Sequence, residues 1–363
     1  MKSHRLTPAF GTETVMPVFS VANLQSLSLR ILEAAGVPSN DAEIVSKELA
    51  EANAVGHDSH GVMRLMQYIQ FIDDGYVKLG AEVETIKSGG AFTILDANFN
   101  FGQVAASMAV ERGVELARNA GTATVMIRNC NHVGRLGSYS KKAAEQGCTT
   151  TMAVNAPGPG GVAPFGGIER KLGTNPISMS APWGDSSLVL DMTTSASAEG
   201  KVRVALQKGD QVPEGWIIDS EGNPTTEPQK FYDGGALLPL GGPLGFKGSG
   251  MSMMIDVFGG MLSGSGICRT DLPRGANGVW MYFVDVGQFI DRAEYDALMD
   301  KYVDSLKSCR KQPGVEEILL PGEIELRRDA QRRAEGVPIP DETWRQINEL
   351  ADRLGANLSD FEQ

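Results

Sequence analysis

Residues 91–129 read AFTILDANFNFGQVAASMAVERGVELARNAGTATVMIRN and mark the point where a helical pattern gives way to strands. AFTILDA (91–97) and TATVMIRN (122–129) have the alternating apolar and β-branched composition of strands. Between them, apolar residues from Val104 to Ala117 recur at helical spacing, and Gly121 is the expected end of that helix. A strand, a helix and a second strand are therefore predicted here.

Three helices are predicted upstream, between residues 20 and 75. Ser20 is the expected N-cap of the first helix, and Ser39 or Asn40 of the second, which ends at Gly56. The segment 57–61 then joins the second helix to a third. Because free backbone N–H groups at a helix start attract anions, polar residues in this segment are well placed to act on a ligand.

Further strands and helices are predicted downstream, around a loop at 157–167 that is too rich in Gly and Pro for a regular element. The predicted strands are CTTTMAVNA (148–156), PISMSAP (176–182), SLVLDMTT (187–194), GVWMYFVDV (278–286) and one that stops at LLPGE (319–323). The predicted helices are a buried one at 250–264, one at 291–308, and one at 341–354 with Asp341 as N-cap. Helices at both ends of a strand-rich middle indicate an α+β fold.

The length and the pattern predict several parts in this chain of 363 residues. They are an N-terminal arm (1–19), a helical substrate and dimerisation region (20–90), a β-rich cofactor-binding domain (91–300) and a segment (301–363) that returns to the helical region. The net charge of −12 disfavours nucleic acid and anionic membranes as partners. The first twenty residues lack a signal peptide's apolar block, and four scattered cysteines suggest reduced thiols, so a cytoplasmic location is expected.

The most informative polar stretch is HDSHGVMR (57–64), which holds two of the four histidines. His60 can move a proton near neutral pH, and the guanidinium of Arg64, on the same face if a helix starts here, suits a carboxylate. This pair is what an enzyme needs to oxidise or reduce the carbon beside a carboxylic acid. The alternatives are a capping Asp58 or Ser59 beside core histidines, or a metal held by His57 and His60, although no third ligand lies nearby.

The GxGxxG motif of a Rossmann dinucleotide site is absent, and the GxxxxGK[ST] motif of a P-loop does not occur either. Four other segments combine polar groups with turns and can bind anions or only form turns. They are RNCNHVGR (128–135) before a helix with Lys141 and Lys142, LGTNP (172–176) with DMTTS (191–195), LGFKGSG (244–250) and LPGE (320–323).

Taken together, the marks DSHGVMR, NHVG, GTNP, LDMTTSASAEGK, LGFKGSG and LLPGE resemble the malate/L-lactate dehydrogenase-like family of NAD(P)-dependent oxidoreductases. This resemblance covers nearly the whole chain. It implies a non-Rossmann cofactor domain with a largely antiparallel sheet, a helical domain, a homodimer, and NAD or NADP as cofactor. It also implies hydride transfer between the nicotinamide and C2 of a 2-hydroxy or 2-oxo acid.

The resemblance also assigns roles to individual residues. His60 matches an acid–base histidine and Ser59 the serine beside it, while His132 is the proton acceptor in some relatives. Arg64 matches the substrate-carboxylate clamp. The expected cofactor contacts are His132, Val133, Gly134, Arg135, Leu136, Thr174, Asp191, Met192, Thr193, Lys247, Pro321, Gly322 and Glu323.

Two substrate-side positions depart from one branch of the family. Glu199 and Lys201 stand where imino-acid reductases carry a histidine and an aspartate, so their Ser/His/Asp relay is not expected here. This favours oxo-acid over cyclic-imine chemistry, and Glu199, if it faces the substrate, is expected to repel a second carboxylate and to disfavour malate. The alternatives are a Δ1-piperideine-2-carboxylate-type reductase, a metal-dependent lyase or hydrolase, and a binding protein without activity.

Overall fold

A computed structural model describes residues 16–156, 158–268 and 276–361 of the chain. Most of the predicted N-terminal arm and Pro157 of the predicted loop therefore lie outside the described residues. None of the described helices is long and apolar enough to cross a membrane.

The α-helices are separated in the chain by strands and short turns. They are α1 (Val21–Ala34), α2 (Ser39–Ala54), α3 (Leu65–Asp73), α4 (Gly102–Ala120), α5 (Leu136–Glu145), α6 (Glu199–Lys208), α7 (Pro228–Tyr232), α8 (Phe246–Ile255), α9 (Arg292–Lys307), α10 (Glu323–Glu335) and α11 (Asp341–Leu354).

The strands form one large sheet and two small ones. They are β1 (Val18–Phe19), β2 (Glu84–Gly89), β3 (Phe92–Asp96), β4 (Thr122–Cys130), β5 (Cys148–Asn155), β6 (Ile177–Trp183), β7 (Ser186–Met192), β8 (Ile217–Ile218), β9 (Pro224–Thr225), β10 (Ala236–Leu237), β11 (Asn277–Asp285) and β12 (Val337–Pro338). The large sheet has the order β2-β3-β4-β11-β5-β6-β7, and the small ones are β10-β8-β9 and β1-β12.

The large sheet is antiparallel except where β3 pairs with β4 in parallel. A parallel pair needs a crossover, and α4 supplies it between these two strands. The strand–helix–strand prediction for 91–129 is therefore confirmed, and so is the largely antiparallel α+β fold. Side chains of α4, α5 and the central strands form one apolar core against this sheet.

A second apolar core joins the two ends of the chain. Side chains of α1, α2 and α3 pack with α11, and β1 pairs with β12 through Phe19 and Val337. The division of the chain at residues 19, 90 and 300 stays a prediction.

Some helix starts differ from the predictions. Ser20 does cap α1, because its hydroxyl accepts the backbone N–H of Asn23. The second helix instead begins at Ser39 itself, whose hydroxyl donates to the carboxylate of Glu33, so neither Ser39 nor Asn40 is its cap. Likewise Asp341 is the first residue of α11 and makes no capping bond.

A helix is present at 250–261, but the prediction that it is buried is wrong. Its small residues pack inward, whereas Met253, Met254 and Met261 are each about half exposed. The helix also changes to π-helical geometry over Asp256–Met261. Residues 315–320 are not a strand, and the LLPGE segment instead leads directly into α10.

Candidate active site

The stretch 57–64 forms two 3-10 turns, Asp58–His60 and Val62–Arg64, separated by Gly61. The break has a steric cause, because a Cβ at Gly61 would lie 2.1 Å from Oδ1 of Asn53. That same oxygen accepts the N–H of Val62 at 2.8 Å. The segment 57–61 was predicted to join the second and third helices, and a shared face for His60 and Arg64 was expected only if a helix began there; the two turns are what the structure has instead. The break, held by Asn53 of α2, sets the direction of both side chains.

Three predicted residues meet in this segment, which we call the acid–base turn (residues 57–64). Oγ of Ser59 lies 3.0 Å from Nδ1 of His60. Nε of Arg64 donates to the carbonyl of Ser59 at 2.5 Å, and Nη1 donates to Oε1 of Gln67 at 2.6 Å. These bonds fix the plane of the guanidinium beside the imidazole. The geometry suits the predicted pairing of a proton-moving group with a carboxylate clamp.

The second histidine lies against the first. The rings of His60 and His132 stack with centroids 5.6 Å apart and an interplanar angle of 17°. Nδ1 of His132 lies 2.8 Å from the hydroxyl of Tyr68, which accepts the amide N–H of Gln103 at 2.7 Å. Tyr68 and Gln103 are both buried and were not singled out in the sequence. Tyr68 lies one helical turn after Arg64, and a buried tyrosine hydroxyl needs a polar partner. These two features were the sequence signal that could have placed Tyr68 at the site.

The electrostatic environment keeps His60 neutral. Burial is the main cause, and the positive charges of Arg64, His57 and Arg135 add to it, so the pKa of His60 falls to about 3. Burial also lowers the pKa of Arg64, but a guanidinium stays protonated in proteins. At neutral pH the site therefore pairs a neutral imidazole with a fixed cation.

A second cluster lies at the start of α5. Oδ2 of Asp191 accepts the N–H of Gly137 at 2.7 Å and lies 3.8 Å from Nε of Arg135. Burial raises the pKa of Asp191, and the charge of Arg135 opposes that shift. Among the described residues, Nε of Arg135 is buried without a hydrogen-bond partner. A buried guanidinium N–H at a helix start fits an anionic group such as a cofactor phosphate.

The other members of the 132–136 segment lie in the same loop. The carbonyl of Val133 accepts the Tyr139 hydroxyl at 2.6 Å, and Gly134 has a φ of 80°, which favours glycine. Leu136 is buried and begins α5. The loop is thus fixed from both sides, with His132 at one end and Arg135 at the other.

The 321–323 segment lies against β7. The carbonyl of Pro321 accepts the N–H of Val189 at 3.1 Å, and Gly322 has a φ of 92°. A Cβ at Gly322 would lie 3.3 Å from backbone atoms of Val189, so glycine permits this close approach. Glu323 accepts bonds from Lys307 at 2.6 Å and from the N–H of Leu320 at 2.8 Å, so its side chain stabilises the turn.

A cavity of about 290 Å³ opens between α2, α5, β7 and α10. Arg135 and Gly322, both expected to contact cofactor, lie in its wall. Its charged lining balances five basic and five acidic residues: Lys47, Arg135, Lys141, Lys142, Arg333, Glu48, Glu51, Glu145, Glu325 and Asp329. Such a balance gives no preference between NAD and NADP.

The predicted substrate-side acid is neutralised by its own helix. Glu199, at the start of α6, accepts two bonds from Nη2 of Arg203 at 2.8 Å and one from the Tyr232 hydroxyl at 2.8 Å. The charge of Arg203 lowers the pKa of Arg64, and the charge of Glu199 raises it. Because Glu199 is paired, the reason to expect repulsion of a second carboxylate is lost. Nζ of Lys201, on the same helix, lies 6.0 Å from the centre of the Trp216 ring.

The remaining predicted residues form supporting contacts. The carbonyl of Thr174 accepts the N–H of Thr194 at 3.0 Å, and Thr193 donates to the carbonyl of Ser195 at 3.1 Å. Met192 packs against a small apolar cluster with Ile177. Lys247 is exposed in the first turn of α8, and within the described residues no hydrogen bond or ion pair joins it to the acid–base turn.

The metal-site alternative lacks a ligand set in the part of the chain described. No three His, Cys, Asp or Glu residues there are grouped to hold an ion. Nε2 of His57 lies 3.1 Å from a carboxylate oxygen of Glu325 on α10. Asp58 is bound by Arg332 of the same helix.

The comparisons with known proteins agree over most of the chain. A family model described as malate/L-lactate dehydrogenase matches residues 19–348. The malate dehydrogenase of Pyrococcus horikoshii is 38% identical over 340 residues, covering 92% of this chain and 94% of that protein. Its structure superimposes with a TM-score of 0.86, at 34% identity over 96% of this chain and 98% of that one.

Two further relatives carry different names. The L-sulfolactate dehydrogenase of Methanocaldococcus jannaschii is 34% identical over 347 residues, covering 93% of this chain and 98% of that protein. The structure of a Δ1-piperideine-2-carboxylate reductase from Pseudomonas syringae matches with a TM-score of 0.80 and 30% identity, covering 92% of this chain and 99% of that one. The chain is thus similar to both oxo-acid and imine enzymes.

Proposed function

Because the chain belongs to the malate/L-lactate dehydrogenase family, we propose that it transfers a hydride between a nicotinamide cofactor and C2 of a 2-hydroxy or 2-oxo acid. The observation that carries the proposal is the acid–base turn, where Arg64 is held beside His60 and the ring of His132 stacks on it. A fixed cation next to a neutral imidazole suits a substrate with a carboxylate beside a carbonyl or a hydroxyl.

Arg64 binds the substrate carboxylate and so aligns C2. In the oxidative direction, neutral His60 accepts the hydroxyl proton, and Ser59 orients its ring through Nδ1. In the reductive direction, an imidazolium donates that proton to the C2 oxygen. The charge of Arg64 lowers the pKa of His60. Because a bound carboxylate offsets that charge, substrate binding raises this pKa and favours the protonated form of His60. His132, held by Tyr68, is the second candidate for the same transfer.

A bound NAD or NADP supplies or accepts the hydride. Arg135, the N-terminal turn of α5 and the 321–323 segment would hold it, because they combine a buried cation, backbone N–H groups and a close glycine turn. Thr174, Asp191, Met192, Thr193 and Lys247 are proposed as further contacts. Lys201 and Glu199 are proposed to border the substrate.

We also propose a cytoplasmic homodimer. The four cysteines are free thiols, in keeping with a reducing compartment. The exposed face of α8, with Phe246, Met253 and Met254, is an apolar surface that a second copy would cover. Light scattering after size exclusion should give the mass of two chains, and Met254→Lys should lower it. The mass of one chain for the parent would contradict the dimer.

The test of the reaction is a turnover screen that follows absorbance of the reduced nicotinamide. NADH and NADPH are each paired with pyruvate, oxaloacetate, other 2-oxo acids and Δ1-piperideine-2-carboxylate. We expect oxidation of a cofactor with at least one 2-oxo acid, and a loss of about a hundredfold in His60→Ala. Turnover with the imine alone would contradict the oxo-acid assignment and favour the reductase alternative, which the Pseudomonas syringae relative exemplifies.

A further inference from the structure

We propose that Arg332, on α10, is a positioning residue for His60 and acts through Asp58. The inference rests on the proposed function of the acid–base turn. It adds a residue that lies 274 positions from Asp58 in the chain and that has no place in the proposed chemistry.

Helix α10 contacts the acid–base turn through a bidentate ion pair. Nη1 of Arg332 donates to Oδ1 of Asp58 at 2.6 Å, and Nη2 donates to Oδ2 at 3.0 Å. Nη1 also donates to the carbonyl of Asn53 at the end of α2. The Arg332 side chain is only 11% exposed, although that of Asp58 is 48% exposed. A bidentate pair whose guanidinium is largely buried holds its geometry better than a fully exposed single contact does.

This pair closes a network around the turn. Nδ2 of Asn53 donates to Oδ1 of Asp58 at 2.7 Å, while Oδ1 of Asn53 accepts the N–H of Val62 at 2.8 Å. The carbonyl of Asp58 accepts the N–H of Gly61 at 3.0 Å. The backbone on both sides of His60 is therefore tied, through Asp58 and Asn53, to one guanidinium.

The same helix begins at the segment proposed to hold the cofactor. Gly322 is the residue before α10, and Pro321 is bound to β7. Glu325, one turn along, contacts His57, and Arg332 lies two turns further on. Helix α10 thus runs from the 321–323 segment to Asp58, and Arg332 is the residue of this helix that binds Asp58.

The test compares Arg332→Met and Asp58→Asn with a matched control, Arg327→Met. Arg327 lies on the same helix and pairs with Glu317, away from the turn. In oxo-acid reduction we expect Arg332→Met to lower kcat by about ten- to a hundredfold, because a small misplacement of a reacting group has effects of that size. The KM of Arg332→Met for the cofactor should stay within about twofold of the parent value. The kcat of the control Arg327→Met should also stay within about twofold of the parent value.

The double variant Asp58→Asn/Arg332→Met should lose no more than Arg332→Met alone, because both changes break one link. Arg332→Lys should recover part of the loss, since an ammonium keeps the charge without the fork. A kcat for Arg332→Met near that of the parent, or losses that multiply in the double variant, would overturn the proposal. If Arg332→Met does not fold, the kcat of Asp58→Asn tests the proposal in its place, and a value near that of the parent would overturn it.

A second readout needs no turnover. Carbethoxylation of histidines by diethyl pyrocarbonate, mapped by peptide mass spectrometry, measures how freely the His60 ring is reached. We expect faster labelling of His60 in both variants, with no change in Arg327→Met. Equal labelling rates would overturn the positioning role. If the parent turns over no substrate but His60 is still labelled faster in the two variants than in the parent, the proposed reaction is contradicted and the positioning role of Arg332 is supported.

Discussion

The pKa of His60 gives the most detailed prediction, and Arg64→Met is the perturbation that tests it. Burial is the main cause of the fall from 6.5 to about 3, and the charge of Arg64 is the second. Removing that charge leaves burial in place. We therefore expect the pKa to rise only in part and to stay well below the ordinary histidine value.

The assay is a pH titration of the histidine Cε1–H signals by NMR, with His60→Gln used to assign the resonance. The chain has four histidines, so the spectrum is simple. Between about pH 8 and pH 5 the His60 signal should not titrate in the parent or in Arg64→Met. Adding a 2-oxo acid should move its titration upward in the parent, because the carboxylate offsets Arg64, and should do so far less in the variant.

A kinetic consequence follows from the same value. If His60 donates the proton, kcat/KM for reduction should fall about tenfold for each pH unit above neutrality, while oxidation stays flat. A His60 midpoint near 6.5 in the ligand-free parent would refute the electrostatic reasoning. A flat reduction profile would move the proton transfer to His132.

Three other changes have outcomes of known sign. Arg64→Lys should lower kcat/KM for 2-oxo acids by about ten- to a hundredfold, since charge-assisted bonds contribute about 1.5–3 kcal/mol, and an unchanged value would exclude the clamp. His60→Gln should resist acid better than the parent. Below about pH 6.5 the His60 side chain binds a proton in the unfolded state, whereas in the native state it binds one only near pH 3. The free energy of unfolding of the parent therefore falls as the pH is lowered through that window. Equal acid unfolding curves for the parent and His60→Gln would contradict this. Gly61→Ala should lower the melting temperature, because its Cβ would lie 2.1 Å from Oδ1 of Asn53, whereas an unchanged melting curve would show that the turn can shift.

Local pattern was sufficient for much of the fold. The strands at 92–96 and 122–130 and the helix between them follow from alternation, helical spacing and the glycine at 121, which has a φ of 83°. The proximity of His60, Arg64 and Ser59 was predictable because they are near in sequence. The motif order supplied His132, whose approach to His60 no local pattern predicts.

Long-range polar contacts were beyond local pattern. Helix α10 has no buried residue, so no apolar periodicity revealed it, and the pairing of Arg332 with Asp58 has no sequence signal. Asn53 lies within an ordinary helix, yet its amide fixes the break at Gly61. The Met-rich helix α8 was misjudged because composition alone does not tell which side of a helix is covered.

The most direct measurement of the central claim follows the hydride itself. The protein is incubated with reduced nicotinamide cofactor that carries deuterium at both C4 positions and with pyruvate or oxaloacetate, and the product acid is analysed by mass spectrometry. The account predicts one deuterium at C2 of the hydroxy acid, and its loss in Arg64→Met at the same substrate concentration. A hydroxy acid without deuterium, or no hydroxy acid with any 2-oxo acid supplied, would contradict it.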